Sequence, residues 1–186
     1  MAQYKNKETG MDKNNMDVHY SMKSYEWATP QALFDKLNAE FGFTLDPCCT
    51  KESAKCKKYY TKEDDGLSQD WTNEIVFMNP PYGREISKWI EKAYKESLKG
   101  ATVVCLIPAR TDTKYYHNYI FPFAEIRFLK GRVKFEKEGY YAPAPFPSAI
   151  AIFNETKTEN VSEETILANK VNRLKDMGYE ITKENK

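Results

Sequence analysis

The sequence predicts a single α/β domain built around a mainly parallel sheet. Helical and strand-like patterns alternate through the first two-thirds of the chain, which is typical of consecutive β-α-β units. The run "ATVVCLIP" at 101–108 is continuously rich in β-forming residues, as expected of a strand covered on both faces. With 186 residues, the chain is long enough for one domain with a sizeable core.

The elements begin after a polar arm at 1–20, which lacks hydrophobic periodicity. We expect the first helix to have Thr29 as its N-cap and Pro30 at its first helical position, and to end at Gly42. A second helix is predicted over "REISKWIEKAYKESL", closed by Gly100. The strand-like runs in this part of the chain lie at 43–46, 57–62, 74–79 and 101–108.

The last third of the chain predicts a short helix, an antiparallel strand pair and a final helix. "TKYYHNYIF" favours the short helix, while "AEIRFLKG" and "SAIAIF" favour two strands joined through "YYAPAPFP" as a hairpin at the sheet edge. "SEETILANKVNRLKDMG" predicts the final helix. These patterns divide the chain into the arm at 1–20, a main domain at 21–155 and a C-terminal helical extension at 156–186.

Composition argues against a membrane span and leaves the choice of partner open. Lys and Arg number 28 against 27 Asp and Glu, so only a local basic patch could bind nucleic acid. No apolar run reaches the roughly 18 residues that a membrane helix needs, and the N-terminus lacks the apolar region of a secretory signal. The four cysteines form no C-x-x-C pair, which favours a reduced, cytoplasmic protein over a zinc site on Cys48, Cys49 and Cys56.

A polar turn, "NPPY", follows the apolar run at 74–79. The Asn79 side chain both accepts and donates hydrogen bonds, and Pro80 and Pro81 each fix φ near −65°, so the Pro80 carbonyl stays free to accept. Two neighbouring acceptors suit a planar amino group, and Tyr82 offers a flat face on which a ring can stack. The turn therefore predicts a ligand with an exocyclic amine on a flat heterocycle, or a planar amide; a plain strand end with Tyr82 in the core is the alternative.

Asp46 in "FTLDPCC" ends another predicted strand. Open α/β sheets bind ligands beyond the carboxyl ends of their strands, at the point where the strand order reverses. If the strands that end at Asp46 and Asn79 are neighbours there, one crevice receives both side chains.

These motifs resemble those of a known enzyme family. "NPPY" is similar to motif IV of the amino-methyltransferases that use S-adenosylmethionine. The wider set resembles the phage-type DNA adenine-N6 methyltransferases of the Dam family over about residues 24–153, in the order "EWATPQALFDKLNAEFGFTLDPC", "AKCKKYYTKEDDGLSQDW", "MNPPYG", "KWIEKA", "LIPARTDTKYYH", "FLKGRVKF" and "APFPSAIAIF". The resemblance implies a class I, Rossmann-like three-layer sandwich with a mostly parallel seven-stranded sheet and a terminal antiparallel hairpin.

The resemblance also implies a mechanism. The target adenine is flipped out of double-stranded DNA, because its amine is unreachable within the stack. Asn79 and the Pro80 carbonyl would hold the two hydrogens of the amine, and Tyr82 would stack on the base, which requires its ring but not its hydroxyl. The methyl group would pass from S-adenosylmethionine by direct displacement, with no metal.

The residues expected to hold the methyl donor are spread over three segments. Thr29 and Pro30 are similar to the motif that touches the methionine part, with Trp27 lining the same pocket. Asp46 matches the acidic residue of motif I, although the loop "DPCCTKES" after it, with Pro47 and Cys48, lacks the usual glycines. The acidic run "TKEDDGLSQDW" supplies the remaining candidates: Asp64 or Asp65, with Glu63 behind them, for the ribose, and Asp70 for the donor's adenine.

The candidate DNA contacts follow the strand at 101–108. They are Arg110, Lys114, Tyr115, Tyr116 and, in "LKGRVKF", Arg132 with its neighbours Lys130 and Lys134. A phage enzyme would act in the cytoplasm of its bacterial host, and a monomer is slightly favoured. Two alternatives stay open: a methyltransferase for protein glutamine or RNA, although those families normally carry a Gly-rich first motif, and an inactive DNA-binding protein, which would not bind the donor.

Overall fold

The structure, a computed structural model, describes residues 28–137 and 140–154. The predicted arm at 1–20, Trp27 and the predicted extension at 156–186 lie outside these residues. The helices are α1 (Gln31–Phe41), α2 (Ile86–Ser97) and a π-helical turn (Tyr116–Ile120) that continues into the short α3 (Phe121–Phe123). None of the described helices is both long and apolar enough to cross a membrane.

The strands form one six-stranded sheet and one separate hairpin. They are β1 (Leu45–Asp46), β2 (Lys58–Tyr59), β3 (Ile75–Met78), β4 (Thr102–Pro108), β5 (Glu125–Phe128), β6 (Lys134–Lys137), β7 (Tyr140–Pro143) and β8 (Ser148–Phe153). The main sheet has the order β2-β1-β3-β4-β8-β5. The first four strands in that order are parallel, and β8 runs antiparallel to both β4 and β5.

This arrangement confirms the predicted class I methyltransferase fold, with one correction. The described residues place six strands in the main sheet, whereas seven were predicted. The predicted antiparallel pair at the sheet edge is β5 and β8, but the segment between them is not a plain linker. It folds into the β6–β7 hairpin, which the Pro-rich sequence did not suggest.

Helices cover both faces of the sheet and bury its alternating side chains. Phe34 and Leu37 of α1 pack on one face, against the even-numbered residues Val104 and Leu106 of β4. On the other face α2 packs against Met78 of β3 and the odd-numbered residues of β4 and β8, a set that comprises Val103, Cys105, Ile107, Ala151 and Phe153. This two-sided burial explains why "ATVVCLIP" carries no polar alternation.

The sequence predicted the C-terminal end of α1 correctly, but the N-cap lies one residue later than predicted. Gly42 closes the helix with φ of 69°, as predicted, because glycine adopts the left-handed conformation without a Cβ penalty. At the other end the N-cap is Pro30, in an extended conformation with ψ of 132°, and Thr29 precedes it. The Pro30 carbonyl accepts from the Leu33 and Phe34 N–H groups, so Thr29 does not cap the helix.

The β6–β7 hairpin closes over the start of α1. Ala28 and Glu136 exchange two backbone hydrogen bonds, from the Ala28 N–H at 2.8 Å and from the Glu136 N–H at 3.1 Å. Phe135 is buried, and its ring lies 6.1 Å from the Tyr82 ring in an edge-to-face arrangement. The hairpin therefore supports the Asn-Pro-Pro-Tyr turn from the side of α1.

Candidate active site

The strands that end at Asp46 and Asn79 are neighbours in the sheet. Leu45 of β1 pairs with Val76 of β3, and the two strands are parallel, so their carboxyl ends lie at the same edge. The chain runs from β1 outward to β2 and then crosses back to β3 and β4, which makes this the point where the strand order reverses. The structure therefore brings Asp46 and Asn79 to the position where open α/β sheets bind ligands, and a ligand-binding crevice here stays a prediction.

The hydroxyl of Tyr82 ties the turn to the sheet. It lies 2.6 Å from Asn79 Oδ1 and 3.1 Å from the backbone carbonyl oxygen of Leu106 on β4. The Tyr82 ring is partly buried and packs against side chains on both faces of the sheet. Base stacking on the Tyr82 ring would not require this hydroxyl. Its hydrogen bond nevertheless holds the Asn79 carboxamide against the end of the sheet.

The loop after β1 reaches the same turn through Cys48. The Cys48 side chain is buried, and its thiol lies near enough to the Asn79 backbone N–H to interact with it. Burial raises the pKa of Cys48 well above its ordinary value, so this thiol stays protonated and neutral. Pro47, Pro80 and Pro81 are also buried, so this loop and the turn pack as one unit.

Asp46 is a buried carboxylate at the edge of this unit. It is 3% exposed, and burial raises its pKa from 3.8 to about 6, against the opposing effect of a hydrogen bond from the Lys55 N–H. That N–H donates to Asp46 Oδ2 at 3.1 Å. A buried carboxylate with a raised pKa in a cleft is a strong candidate for ligand binding, because a cationic or hydrogen-bonding ligand would compensate its burial.

The acidic loop approaches Asp46 through Gly66. A Cβ on Gly66 would lie 2.0 Å from the Pro47 carbonyl oxygen, so only glycine allows the loop to pack this closely. Asp64 accepts from the Thr61 N–H and Oγ1, both at 2.8 Å, and thereby closes a local turn. Asp65, with φ of 49°, has no side-chain partner among the described residues. The structure thus leaves the Asp65 carboxylate available beside this loop.

Asp70 lies at the opposite edge of the sheet. Its carboxylate accepts from the Thr72 N–H and Oγ1 and is 4.0 Å from the Lys99 ammonium. Lys99 follows the end of α2, just before β4 begins, and Trp71 precedes β3. Asp70 is therefore separated from Asn79 by the length of β3, and the prediction that it contacts the donor's adenine does not fit this placement.

The residues predicted to contact DNA fall into an exposed group and a buried group. Arg110, Lys114 and Arg132 are exposed, but Tyr115 is 6% exposed and Tyr116 is completely buried. The Tyr116 hydroxyl donates to the Pro108 carbonyl oxygen at 3.2 Å. Tyr116 is thus a core residue, and the sequence prediction that it faces DNA is wrong because its ring fills the space between α2 and β4.

A family comparison decides what kind of protein carries this site. The family model described as DNA N-6-adenine-methyltransferase (Dam) matches residues 19–179. The chain belongs to the Dam family. The match extends on both sides of the residues that the structure describes.

Individual relatives of this Dam-family chain come from bacteriophages. It is 30% identical over 105 residues to a DNA N-6-adenine-methyltransferase of Haemophilus phage HP1, an alignment that covers 55% of this chain and 61% of the relative. It is 27% identical over 115 residues to the DNA N-6-adenine-methyltransferase of Escherichia phage T1, covering 61% of this chain and 48% of the relative. The chain thus spans about half to three-fifths of the length of these curated relatives.

Among solved structures, the Dam-family chain is similar to a Pyrococcus horikoshii protein whose structure is titled as an RNA methyltransferase. The sequence identity is 14% and the TM-score is 0.42, over 66% of this chain and 79% of the other.

Two residues of the Dam-family site carried no signal in the sequence. Phe146 precedes β8, and its ring lies 5.4 Å from the Tyr82 ring, with the Arg110 guanidinium 5.6 Å above it. Lys55 joins the loop after β1 to α1, because its ammonium donates to Gln31 Oε1 at 2.8 Å while its N–H holds Asp46. A phenylalanine between prolines and a loop lysine are too common for sequence alone to single out.

No group of three or more His, Cys, Asp or Glu side chains among residues 28–137 and 140–154 is placed to hold a metal ion. Cys48, Cys49, Cys56 and Cys105 are all free. The alternative of a zinc site on the first three of these cysteines therefore has no support in the described part of this Dam-family chain.

The close packing of Gly66 on Pro47 leads to a first prediction. Gly66→Ala should lower the free energy of unfolding by about 1–3 kcal/mol, because the new Cβ must displace the Pro47 carbonyl. The same displacement should weaken donor binding, since Pro47 joins Asp46 to Cys48. Urea denaturation and calorimetric donor titration measure both effects. Gly83→Ala is the control, since a Cβ there meets nothing within 4 Å, and equal losses of stability in both variants would contradict the prediction.

Proposed function

We propose that this Dam-family protein transfers a methyl group from S-adenosylmethionine to the N6 amine of an adenine flipped out of double-stranded DNA. The observation that carries the proposal is the hydrogen-bonded unit of Asn79, Tyr82 and Leu106 at the carboxyl end of β3, beside the buried Asp46. We further propose that residues 21–155 form the catalytic domain.

The orientation of the Asn79 carboxamide is central to amine recognition. The single proton of the Tyr82 hydroxyl cannot be donated to Asn79 Oδ1 and the Leu106 carbonyl at once. If the hydroxyl donates to Leu106, the carboxamide can turn so that its NH₂ group donates to the Tyr82 oxygen. Asn79 Oδ1 then becomes free and, together with the Pro80 carbonyl, can accept the two hydrogens of the target amine.

Aromatic side chains would hold the flipped base. The partly buried Tyr82 ring is braced edge-to-face by Phe135 and Phe146, at 6.1 and 5.4 Å between ring centroids. A braced ring loses little entropy when a base stacks on it, and such a stack is worth about 1–3 kcal/mol. That energy would offset part of the cost of unstacking the base from the duplex.

The donor would lie between the loop after β1 and the start of α1. Asp46, Pro47 and Cys48 would form one wall, and Thr29 and the N-cap Pro30 would form the other just before α1, with Trp27 two residues earlier in the sequence than Thr29. For the ribose hydroxyls we favour Asp65 over Asp64, because the Asp64 carboxylate already accepts two hydrogen bonds from Thr61. A carboxylate without a partner can accept both ribose hydroxyls.

Exposed cations near this edge would contact the DNA backbone. Arg110 and Lys114 follow β4. Lys130 and Arg132 precede the β6–β7 hairpin, and Lys134 is the first residue of β6. Contacts from such side chains to phosphates would position the duplex without reading its sequence.

The reaction itself is a direct displacement. The N6 lone pair of adenine attacks the methyl carbon, a C–N bond forms, and the C–S bond breaks, leaving S-adenosylhomocysteine; the amine then loses one proton to solvent. Acceptors on the amine hydrogens increase the electron density on nitrogen and aim its lone pair at the methyl group. Most of the catalysis would come from this alignment of the two reactants.

One labelling experiment tests the proposal against its alternatives. The full chain is incubated with donor labelled on its methyl group and, separately, with duplex DNA, RNA or total protein. We expect label in DNA, recovered as N6-methyladenine after digestion, and at least about a hundredfold slower labelling with the Asn79→Ala variant. Label in protein would indicate a glutamine methyltransferase, and label in RNA would indicate an RNA methyltransferase. If no fraction is labelled and calorimetric titration detects no donor binding, the protein is an inactive DNA-binding protein.

The contacts of the Tyr82 hydroxyl lead to a second prediction. Tyr82→Phe keeps the ring but loses the bond to Asn79, so we expect kcat to fall roughly ten- to a hundredfold while donor affinity is unchanged. The Leu106 carbonyl also loses a partner, which should lower the free energy of unfolding by about 1–3 kcal/mol. Tyr94→Phe on α2 is the control. Wild-type kcat in Tyr82→Phe would mean that only the aromatic ring matters.

A further inference from the structure

Two buried hydroxyl groups lack a hydrogen-bond partner. Within residues 28–137 and 140–154, the buried side-chain polar atoms without a partner at hydrogen-bond distance are the Tyr115 hydroxyl and the Ser148 hydroxyl. The two residues are 6% and 1% exposed. Burial raises the pKa of Tyr115, and the nearby Thr113 side chain opposes this rise, but the Thr113 hydroxyl donates its proton to the Arg110 carbonyl oxygen at 2.7 Å. Buried polar groups in native proteins are nearly always paired, so such groups call for an explanation, and an absent ligand is one of them.

Both hydroxyls belong to the carboxyl edge of the sheet, where the target base would enter. Ser148 begins β8 and pairs with Pro108, the last residue of β4. Tyr115 follows β4 in the chain, and its buried side chain belongs to the same hydrophobic cluster against which the Tyr82 ring packs. Because the Tyr82 hydroxyl contacts Asn79, this cluster connects Tyr115 to the group proposed to hold the target amine.

The next residue in the chain shows that a buried tyrosine here can find a partner. Tyr116 is fully buried, its ring centroid is 5.4 Å from that of Tyr115, and its hydroxyl donates to the Pro108 carbonyl. Tyr115 immediately precedes the π-helical turn at Tyr116–Ile120. Such turns are rare and often occur at functional sites, because the additional residue in the turn changes the directions of the side chains.

We propose that the Tyr115 hydroxyl is a base-contacting group, which donates a hydrogen bond to one of the two ring nitrogens that flank the target amine of adenine, N1 or N7. The inference rests on the proposed function and adds a residue to its base pocket. N1 and N7 are acceptors only, which suits a phenol that has a proton and no partner. Because Tyr115 is 6% exposed and its hydroxyl is buried, it is poorly placed for a DNA phosphate, whereas a flipped base entering the proposed site would reach it.

Tyr115→Phe and Tyr116→Phe form a matched pair of variants. In Tyr115→Phe the free protein loses an unpaired polar group, so it should unfold at the same temperature as wild type or higher. Its kcat/KM on duplex DNA should nevertheless fall roughly tenfold, with donor affinity unchanged. Tyr116→Phe should show the reverse, a melting temperature lower by about 2–4 °C with near-normal kcat/KM.

Base analogues identify the contacted atom. Wild type and Tyr115→Phe are compared on duplexes whose target adenine carries carbon in place of N1 or in place of N7. On the analogue that lacks the contacted nitrogen, the two proteins should have equal kcat/KM, whereas on the other analogue the roughly tenfold difference should persist. This coupling cannot arise from a merely structural role of Tyr115.

The outcomes separate this inference from the proposed function. If wild type methylates adenine in DNA but Tyr115→Phe is equally active, or if its loss is the same on both analogues, the base contact is wrong and the proposed function stands. If Tyr115→Phe is clearly less stable than wild type, the hydroxyl has a structural partner and the inference fails. If wild type does not methylate adenine, the proposed function fails and the base contact fails with it.

Discussion

Replacing Asn79 with alanine is expected to reduce methyl transfer to DNA by at least about a hundredfold. The variant removes one of the two acceptors for the target amine, and the loss of one preorganised polar group at a reacting centre typically costs this much. Single-turnover transfer of a labelled methyl group measures the effect directly. Donor affinity should remain close to that of wild type, because the Asn79 backbone N–H, which faces the Cys48 thiol of the proposed donor loop, is retained in alanine.

The structure makes the Asn79→Ala experiment easy to interpret. Although the Tyr82 hydroxyl loses Asn79 Oδ1, it keeps the Leu106 carbonyl as an acceptor, so no buried polar group is left unpaired. The variant should therefore unfold within about 1 kcal/mol of wild type. Near-normal transfer by a folded variant would exclude Asn79 as the amine acceptor and with it the proposed mechanism.

Replacing Asp46 with asparagine is expected to change both donor binding and the dependence of stability on pH. At pH 7 the variant loses a charged acceptor in the donor site, which should weaken S-adenosylmethionine binding roughly ten- to a hundredfold. Calorimetric titration of the full chain measures this affinity. Asp70→Asn is a matched control, because Asp70 lies at the opposite edge of the sheet and is exposed.

The effect on stability follows from the raised pKa. Burial raises the pKa of Asp46 from 3.8 in the unfolded chain to about 6 in the fold. Between these values the folded state holds a proton that the unfolded state has lost, so stability falls as pH rises from about 4 to 6. Relative to Asp46→Asn, which cannot titrate there, wild type should lose about 3 kcal/mol across this window and nothing further above it.

Urea denaturation of both proteins between pH 4 and pH 7 tests the linkage. Because all other groups are common to the two proteins, the difference in their free energies of unfolding isolates Asp46. A difference that does not change with pH would show that Asp46 titrates near its ordinary pKa. Unchanged donor affinity in Asp46→Asn would remove Asp46 from the donor site, whatever the stability data show.

These predictions share a physical pattern. Asp46 and the Tyr115 hydroxyl are each costly to bury in the free protein, and each lies at the carboxyl edge of the sheet. The burial of such groups destabilises the free protein, and a ligand that forms hydrogen bonds with them would remove this destabilisation. Groups of this kind therefore indicate a binding site. The same substitutions should therefore weaken binding without weakening the fold.

Local sequence patterns were sufficient to predict several elements of this fold. The apolar run before Asn79 predicted β3, the run "ATVVCLIP" predicted a strand covered on both faces, and Gly42 ended α1 where expected. The Asn-Pro-Pro-Tyr turn also predicted an amine-binding site, which stays a prediction, at the carboxyl end of β3. These features are readable because periodicity, β-propensity and glycine or proline conformations act within a few residues.

Only the tertiary structure decided which of several equivalent residues lie together at the carboxyl edge of the sheet. Asp46 and Asp70 both lie next to strands in sequence, but strand direction places one at the carboxyl edge and the other at the opposite edge. Tyr115 and Tyr116 are adjacent, yet only Tyr116 finds a backbone acceptor for its hydroxyl. Proximity between distant segments depends on strand order and packing, which a local sequence pattern does not encode, and the paired substitutions at these positions therefore follow from the fold.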